Sequence, residues 1–267
     1  EFGSMSQNFG NSPKMPVLFI GHGHPMNALF DNDFTRRLGE IGRSMPRPKA
    51  IMVVSAHWET KGTYVSLNPR PKAIYDFGRF DDALFREKYE PGGHPELARE
   101  VMKQVPSIMA DAQMGLDHGA WTVLKFLFPA ADVPVFQLSI DHTQSPQQHF
   151  EMAQALKKMR EKGVLIIGSG NVVHNLGRLN WQNINAATED WALEFDGIVK
   201  DRILKGNYQS LVNYNELGHS AKISVPTEDH YLPMIYSLGL ADKNESVDFI
   251  YEGFQFANIS MRCFKIG

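Results

Sequence analysis

The sequence predicts an α/β fold: a single domain with a central, mostly parallel or mixed sheet that is flanked by helices. Short, continuous apolar runs bounded by Gly or Pro recur along the chain, a pattern typical of strands that are covered on both faces. Amphipathic segments of helical length separate these runs, as is typical of a parallel sheet. The chain has 267 residues, a length at which an α/β protein often forms one domain.

Six segments are predicted as strands. The first four are buried apolar runs, and the last two lie near the C-terminus and are expected to be antiparallel. They are residues 16–20, 50–55, 133–140, 164–167, 246–251 and 258–266. Five segments with helix signals are residues 95–105, 120–128, 146–162, 191–204 and 231–238. Gly163 follows the third of these helices and is predicted to cap its C-terminus.

Residues 68–93 show weak periodicity and are rich in Pro, Gly, Arg and aromatic residues. A stretch of this length without clear elements is unusual inside a compact domain and often indicates a loop at a functional site. A short helix around residues 83–89 is an equally good interpretation. Both alternatives stay open at this point.

The N-terminal residues 1–14 are predicted to lie outside the catalytic domain, which is expected to span residues 15–267. Residues 1–4 (Glu-Phe-Gly-Ser) resemble a cloning scar, and the polar residues 5–14 predict disorder. These residues contain no basic segment followed by an apolar run, so no secretory signal is expected. Since no apolar stretch approaches about 20 residues, no membrane span is predicted, and the expected location is the cytoplasm.

The charge and cysteine content exclude several classes of function. The formal net charge is −3, and the densest basic groups, Arg36-Arg37 and Lys157-Lys158, lie beside acidic residues in predicted helices. Nucleic acid is therefore not expected as a partner, because phosphate binding needs clustered Lys and Arg. A single cysteine excludes an internal disulfide and any multi-cysteine zinc or iron–sulfur site. Any bound metal must therefore be held by nitrogen and oxygen atoms.

Three of the ten histidines lie at or just after predicted strand ends, beside small residues. They are His22, His57 and, after a short turn, His174. Because ligands bind outside the carboxyl ends of parallel strands, these imidazoles are predicted to converge. Imidazole is a strong ligand for zinc, iron, copper and nickel. For each histidine alone, a hydrogen-bonded structural role is the alternative interpretation.

Two further histidines lie at predicted helix starts. Asp117 is expected to cap a helix, which leaves the adjacent His118 exposed or near a site. His230 follows Glu228 and Asp229, and these residues either complement the helix dipole or supply a metal ligand. Four other histidines are expected to be structural or solvent-exposed: His94, His142, His149 and His219.

Five short motifs, in this order, resemble those of the class III extradiol ring-cleaving dioxygenases, specifically the DOPA extradiol dioxygenase branch. The motifs are GHGHP at 21–25, SAHW at 55–58, DHG at 117–119, SGNVVHNL at 169–176 and EDHYLP at 228–233. The resemblance runs from about Met15 to the C-terminus. Any one motif is a weak signal, but five in order are specific.

The resemblance implies an α/β fold and a mononuclear non-haem metal site. His22, His57 and His230 are implied as the metal ligands, and His174 as the catalytic acid/base or a fourth ligand. His118 falls at a position that in the family contacts substrate or oxygen.

Two positions depart from the family pattern. The branch has Ser where this chain has His24, and the additional imidazole is expected either to crowd the site or to act behind the metal ligands. Many class III relatives complete the site with Glu, whereas His230 aligns here. Glu228 and Asp229 therefore stay open as ligands.

The activity implied is that of a metal-dependent extradiol dioxygenase, which opens the ring of a DOPA-like catechol with O2 and yields a yellow semialdehyde. Fe(II) is expected for activity, and Zn(II) is a further expected occupant because imidazoles also bind zinc well. The expected partners are a small catechol and O2, with neither nucleic acid nor a membrane. A zinc-dependent hydrolase and a non-catalytic metal-binding protein are the alternatives. Four aromatic residues are candidates to stack on the substrate: Trp58, Trp121, Tyr75 and Tyr231.

Overall fold

A central sheet organises the molecule, as a computed structural model of the protein shows. The structure describes residues 13–267, so the predictions for residues 1–12 lie outside the described residues. The strands, in chain order, are β1 (Val17–Gly21), β2 (Ala50–Thr60), β3 (Tyr64–Ser66), β4 (Met109–Asp111), β5 (Val135–Asp141), β6 (Val164–Gly170), β7 (Val247–Tyr251), β8 (Phe254–Gln255), β9 (Ile259–Ser260) and β10 (Cys263–Ile266). Eight of them form the sheet, and β8 and β9 pair with each other.

The sheet is mixed and has a parallel centre. Its strand order is β4-β3-β5-β2-β6-β1-β10-β7. The neighbours β5, β2, β6 and β1 run parallel, and so do β3 and β4. In contrast, β3 pairs antiparallel with β5, and β10 pairs antiparallel with β1 and β7. The fold class predicted from the sequence is confirmed, including the antiparallel C-terminal strands.

Helices cover both faces of this sheet. In chain order they are α1 (Asp33–Ser44), α2 (Pro95–Gln104), α3 (His118–Leu127), α4 (Pro146–Ala155), α5 (Asp190–Leu204), α6 (Tyr208–Val212), α7 (His219–Ser224) and α8 (Leu232–Gly239). Residues of α2, α4, α5 and α8 belong to the core on one face, and residues of α1 and α3 belong to the core on the other. Across residues 13–267, no helix has the length and apolar character needed to cross a membrane.

The apolar runs form strands because both faces of the sheet are buried. Along β1, Val17 and Phe19 belong to one core, whereas Leu18 and Ile20 belong to the other. All four side chains are fully buried, as expected for a strand that alternates between two covered faces. The same arrangement explains the continuous apolar runs of β2 and β6.

The predicted helix at residues 146–162 is shorter than expected. The α-helix ends at Ala155, and a 3₁₀-helix follows at Lys157–Lys162. This tighter turn places Arg160 inside the protein, where its guanidinium donates to the carbonyl of Met15 and to Glu245. The predicted cap is confirmed, since Gly163 ends the turn at φ +79° in the left-handed region.

Two other regions refine the prediction. Residues 258–266 form two strands rather than one, because the chain turns at Met261 and Arg262 between β9 and β10. The stretch at residues 68–93 contains a 3₁₀-helix at Asp82–Arg86, close to the expected short helix. The elements β3, β4, α6 and α7 have no counterpart in the prediction, because each is only three to six residues long.

A buried ion pair fastens the turn between β9 and β10 to α5. Arg262 donates to the Oδ1 and Oδ2 atoms of Asp196 at 3.0 and 2.6 Å, and the Ser260 hydroxyl donates to the same carboxylate at 2.6 Å. Asp196 is 6% exposed and Arg262 is 4% exposed. Removing Asp196 leaves the buried Arg262 charge with only the exposed Glu252, 3.3 Å away, as an ion-pair partner, which is strongly destabilising.

We expect Asp196→Asn to lower the free energy of unfolding by about 3 kcal/mol, measured by urea denaturation followed by circular dichroism. Glu194→Gln is the matched control, since Glu194 is exposed on the same helix. The control is expected to change stability by less than about 0.5 kcal/mol. Equal stabilities of the two variants would contradict a stabilising role for the pair.

Candidate metal centre

Three imidazoles converge at the carboxyl edge of the parallel strands. One ring nitrogen from each of His22, His57 and His230 lies within 4.8 Å of the other two. The Nε2 atoms of His22 and His57 are 3.1 Å apart, and the rings of His22 and His230 have centroids 5.3 Å apart. His22 and His230 are buried and His57 is half-buried. The structure thus brings together the three histidines that the sequence resemblance implies as ligands.

His22 is positioned by the end of β1. It follows Gly21 directly, and its backbone N–H donates to the carbonyl of Gly170 at 3.0 Å. This bond continues the pairing of β1 with β6 by one residue beyond the strand. The backbone of His22 is therefore fixed to the centre of the sheet.

Ser169 on β6 sets the protonation of the His22 ring. The hydroxyl of Ser169 donates to the carbonyl of Gly119 at 2.5 Å, so its oxygen accepts a hydrogen bond from Nδ1 of His22 at 2.9 Å. The ring proton of His22 is therefore on Nδ1. Its Nε2 atom carries a lone pair on the side that faces His57.

His57 lies within β2, in an irregular part of the strand. From Val54 to Glu59, β2 advances five residues, while β5 advances only from Leu138 to Ile140. A bulge of this kind redirects side chains and is common beside active sites. The predicted strand 50–55 therefore ends too early, because the strand resumes after the bulge and continues to Thr60.

Hydrogen bonds of Ser55 and Asp117 stabilise this bulge. The Ser55 hydroxyl accepts a hydrogen bond from the backbone of His57 at 3.2 Å and donates to Asp117 at 2.6 Å. Asp117 also caps α3 by accepting from the backbone N–H of Gly119 at 2.8 Å, as predicted. A Cβ atom at Gly119 would lie 2.4 Å from the Ser55 hydroxyl and 3.2 Å from the His57 ring. Only glycine permits this close approach.

His230 lies two residues before α8 and is held against the end of β6. Its carbonyl accepts a hydrogen bond from the backbone N–H of Asn171 at 2.8 Å. A Cβ atom at Gly170 would lie 2.2 Å from that carbonyl oxygen, so a side chain there would push His230 away. The small residues beside the strand end are thus needed for the convergence of the imidazoles.

Asp229 and Glu228 have different roles beside His230. The carboxylate of Asp229 accepts a hydrogen bond from Nδ1 of His230, which leaves Nε2 of His230 with a lone pair. Burial raises the pKa of Asp229, but hydrogen bonds from His230 and Thr227 outweigh burial and hold this pKa below its usual range. Glu228 instead accepts from the Tyr214 hydroxyl at 2.9 Å. Neither acid belongs to a metal-capable group found among residues 13–267.

His118 and His174 flank the three imidazoles. The ring of His118 lies 3.8 Å from that of His57, and the ring of His174 stacks on His230 at 3.6 Å. The Nδ1 atom of His118 lies 3.0 Å from a carboxylate oxygen of Asp76, yet this buried atom makes no hydrogen bond within the described part of the chain. His57, Asp76 and His118 form a second group with a metal-capable spacing.

Burial favours the neutral form of four histidines at this site. The pKa values of His22 and His57 lie well below the usual value, first because the side chains are buried and second because other imidazoles surround them. Burial and then the proximity of His230 lower the pKa of His174 to about 3. Burial lowers the pKa of His24 to about 4. A neutral imidazole has the lone pair that a metal or a proton requires.

A cavity of about 210 Å³ opens beside the histidines. His24, His57, His118, His174 and His230 lie in its lining. The other walls are mainly apolar and are formed by Phe77, Phe80, Leu176, Leu179, Trp181 and Ile259. A second, more polar cavity of about 620 Å³ shares His57, His174 and His230 with the first.

The aromatic residues that line the small cavity are not the four candidates named from the sequence. None of Trp58, Trp121, Tyr75 and Tyr231 lines the small cavity. Trp121 and Tyr231 are core residues whose polar atoms donate to the carbonyls of Ile74 and Leu211. Phe77 and Phe80 come instead from the stretch at residues 68–93, where weak periodicity indicated a loop at a site.

The remaining histidines lie outside the cluster, as expected. His149 is buried and bonded to the Tyr236 hydroxyl and the Asp141 carbonyl, and His94 caps α2. His142 and His219 are exposed.

Similarity to known proteins identifies the family of this chain. The family model described as the catalytic LigB subunit of aromatic ring-opening dioxygenase matches residues 15–262. The chain belongs to this LigB family. The predicted resemblance and the predicted enzyme class, an extradiol ring-opening dioxygenase, are thereby confirmed.

Similar LigB-type proteins span nearly the whole chain. A protein of Escherichia coli K12 named 4,5-DOPA dioxygenase extradiol is 41% identical over 96% of this chain and 96% of its own length. A protein of the same name from Beta vulgaris is 32% identical over 93% of this chain and 95% of its own. The crystal structure of an uncharacterized protein from Escherichia coli K12 superposes with a TM-score of 0.83, at 38% identity, covering 95% of this chain and 100% of the other.

LigB dioxygenases are metal-dependent, and the residues at this site fit a metal ion. Hydrogen bonds hold the ring protons of His22 and His230 on Nδ1, so their Nε2 lone pairs face the cluster. The 3.1 Å between the Nε2 atoms of His22 and His57 suits two nitrogens that are each about 2.1 Å from one ion. The donor set is built from imidazoles, as expected from the single cysteine.

Proposed function

We propose that the chain is an Fe(II)-dependent extradiol dioxygenase that opens the ring of a DOPA-like catechol with O2 and yields a yellow semialdehyde. The observation that carries this proposal is the group of three convergent imidazoles beside a cavity with aromatic walls. The relatives named 4,5-DOPA dioxygenase extradiol support the substrate class. A single catalytic domain at residues 15–267 and a cytoplasmic location belong to the same proposal.

In this proposal His22, His57 and His230 hold the metal ion. Three protein ligands on one side leave other positions open, which suits a redox metal that binds substrate and O2 together. When bound, Fe(II) supplies the open positions for the catechol oxygens and O2 and the redox chemistry between them. The reaction breaks the ring C–C bond beside the diol and places both atoms of O2 in the product, so no external reductant is consumed.

His174 is the proposed acid/base. Its neutral ring lines both cavities, and no side chain of the described residues is hydrogen-bonded to it. It can therefore take a proton from a catechol hydroxyl and return it during ring opening. Stacking on His230 keeps the ring of His174 beside the ligand group without making it one of the three convergent imidazoles.

His118 is proposed to contact the substrate or O2. Its ring lies between His57 and Phe77, with centroids 3.8 and 5.6 Å away, and it forms part of the cavity wall. The backbone N–H of His118 donates to Asp76 at 2.9 Å, which ties the start of α3 to the loop that carries Phe77. This contact fixes the position of His118 relative to Phe77.

The decisive experiment loads the protein with Fe(II) under anaerobic conditions and then adds O2 and DOPA. A yellow product with matching O2 uptake supports the proposal. Ester hydrolysis by the Zn(II)-loaded protein, without ring opening of any catechol, would favour a zinc hydrolase. If neither assay yields a product, a metal-binding protein without catalytic activity would be favoured.

We expect Asp229→Asn to weaken metal binding about 10- to 100-fold, because the carboxylate that orients His230 is lost. Metal affinity is measured by competition with a chelator. Glu228→Gln is the matched control, since the neighbouring Glu228 bonds Tyr214 rather than His230. Equal affinities of the two variants would show that Asp229 does not support the ligand.

A further inference from the structure

His24 lies in the wall of the small cavity but belongs to neither metal-capable group. The side chain is only 9% exposed. Its position is set by the 3₁₀-helix Pro25–Leu29, which it caps. The cap therefore holds the imidazole in one orientation beside the cavity.

The hydrogen bond of the cap determines which ring nitrogen of His24 carries the proton. Nδ1 of His24 accepts from the backbone N–H of Met26 at 3.0 Å. Because a backbone N–H can only donate, Nδ1 carries no proton, and the ring proton must be on Nε2. No residue of the described chain is hydrogen-bonded to this Nε2–H. His24 therefore offers an unused donor.

The surroundings of His24 are aromatic. Its ring lies 4.3 Å from Phe80, 5.5 Å from Phe256 and 6.1 Å from Trp181, measured between centroids. Within the described part of the chain, neither Lys nor Arg lines this cavity. A polar group on a ring substituent that reaches this wall therefore meets a neutral donor rather than a cation.

We propose that His24 is a specificity-determining residue whose Nε2–H donates a hydrogen bond to an oxygen on the side chain of the catechol. This proposal rests on the proposed function. A carboxylate or carbonyl oxygen can accept this bond, whereas an ammonium group cannot, because it also only donates. The site therefore favours catechols with an acceptor oxygen on the side chain.

DOPA and dopamine form a matched pair for this proposal, since they differ only in the carboxylate. We expect the protein to prefer DOPA by about tenfold or more, the usual effect of one hydrogen bond to a charged group. The preference is expected in the affinity, and so in KM rather than in kcat, because the contact is remote from the reacting ring atoms.

Three substitutions separate the donor from the cap. His24→Asn keeps an oxygen near the position of Nδ1, so it can still cap the 3₁₀-helix, but it has no donor near the position of Nε2. His24→Gln places an amide N–H near the position of Nε2 and loses the cap. His24→Ser is a second variant that keeps the cap without the donor.

The measurement uses the full chain loaded with Zn(II), which has no redox chemistry and allows equilibrium binding without turnover. Titration calorimetry gives the ratio of the dissociation constants of dopamine and DOPA. We expect this ratio to be at least about 10 in the wild type, to approach 1 in His24→Asn and His24→Ser, and to stay near the wild-type value in His24→Gln. Values of kcat/KM for the Fe(II) protein are expected to follow the same order.

Three outcomes would overturn the proposal. A ratio that survives in the Asn and Ser variants but is lost in the Gln variant would show that His24 acts only as a cap. A wild-type ratio near 1 would remove the selectivity itself. If the wild type cleaves DOPA but binds dopamine equally well, the dioxygenase function is supported and the role of His24 is refuted. If the wild type neither binds nor cleaves any catechol, both the proposed function and the role of His24 are refuted.

Discussion

Replacing His22 with alanine is expected to abolish metal binding and ring opening together. His22 supplies one of the three converging imidazoles, and its Nε2 lone pair faces His57 at 3.1 Å. With only two donors left, we expect bound metal to fall below about a tenth of an ion per chain after dialysis. Metal content is measured by mass spectrometry, and turnover is followed by O2 uptake with DOPA.

His219→Ala is the matched control for this variant, because His219 is exposed at the start of α7 and outside the cluster. Metal content and O2 uptake of the control are expected to equal those of the wild type. Circular dichroism checks that both variants fold. A folded His22→Ala protein with a full complement of metal would remove His22 from the ligand set.

Replacing His174 with alanine is expected to separate metal binding from catalysis. The ring of His174 stacks on His230 but lies outside the three convergent imidazoles, so the variant should retain its metal. Loss of a general acid/base lowers the rate by about 10²- to 10⁴-fold. Metal content and the rate of yellow product formation are measured on the same preparation.

Added imidazole gives this prediction a further readout. Because the alanine variant leaves space where the ring was, free imidazole is expected to restore part of the activity of His174→Ala but none of that of a metal-free protein. Full activity without added imidazole would exclude His174 as the acid/base. Loss of the metal would instead identify His174 as a fourth ligand.

The fold was predictable because its strands are buried on both faces. Apolar runs such as those of β1 and β6 leave few alternatives to a covered, parallel sheet. The same topology explains why His22 and His174 were predicted to meet, since both follow central strands at the same edge. Short elements such as β3 and α7 depend on contacts with the rest of the protein and have no periodic signal of their own.

The residues that orient the imidazoles were harder to predict. Ser169 contacts His22 across the sheet, and Asp76 reaches His118 from a loop without periodicity. Neither contact leaves a trace in local sequence, because the partners are far apart along the chain. The roles of Glu228 and Asp229 were likewise open, since adjacent acids differ only in the direction of their side chains.

The position of the three convergent imidazoles along the chain has a consequence for biosynthesis. His22 and His57 are synthesised well before His230. β10, which pairs with β1, is made later still. The set of three imidazoles is therefore incomplete on any nascent chain that has not reached residue 230, so a metal ion that needs all three donors is expected to bind only after that residue has been made.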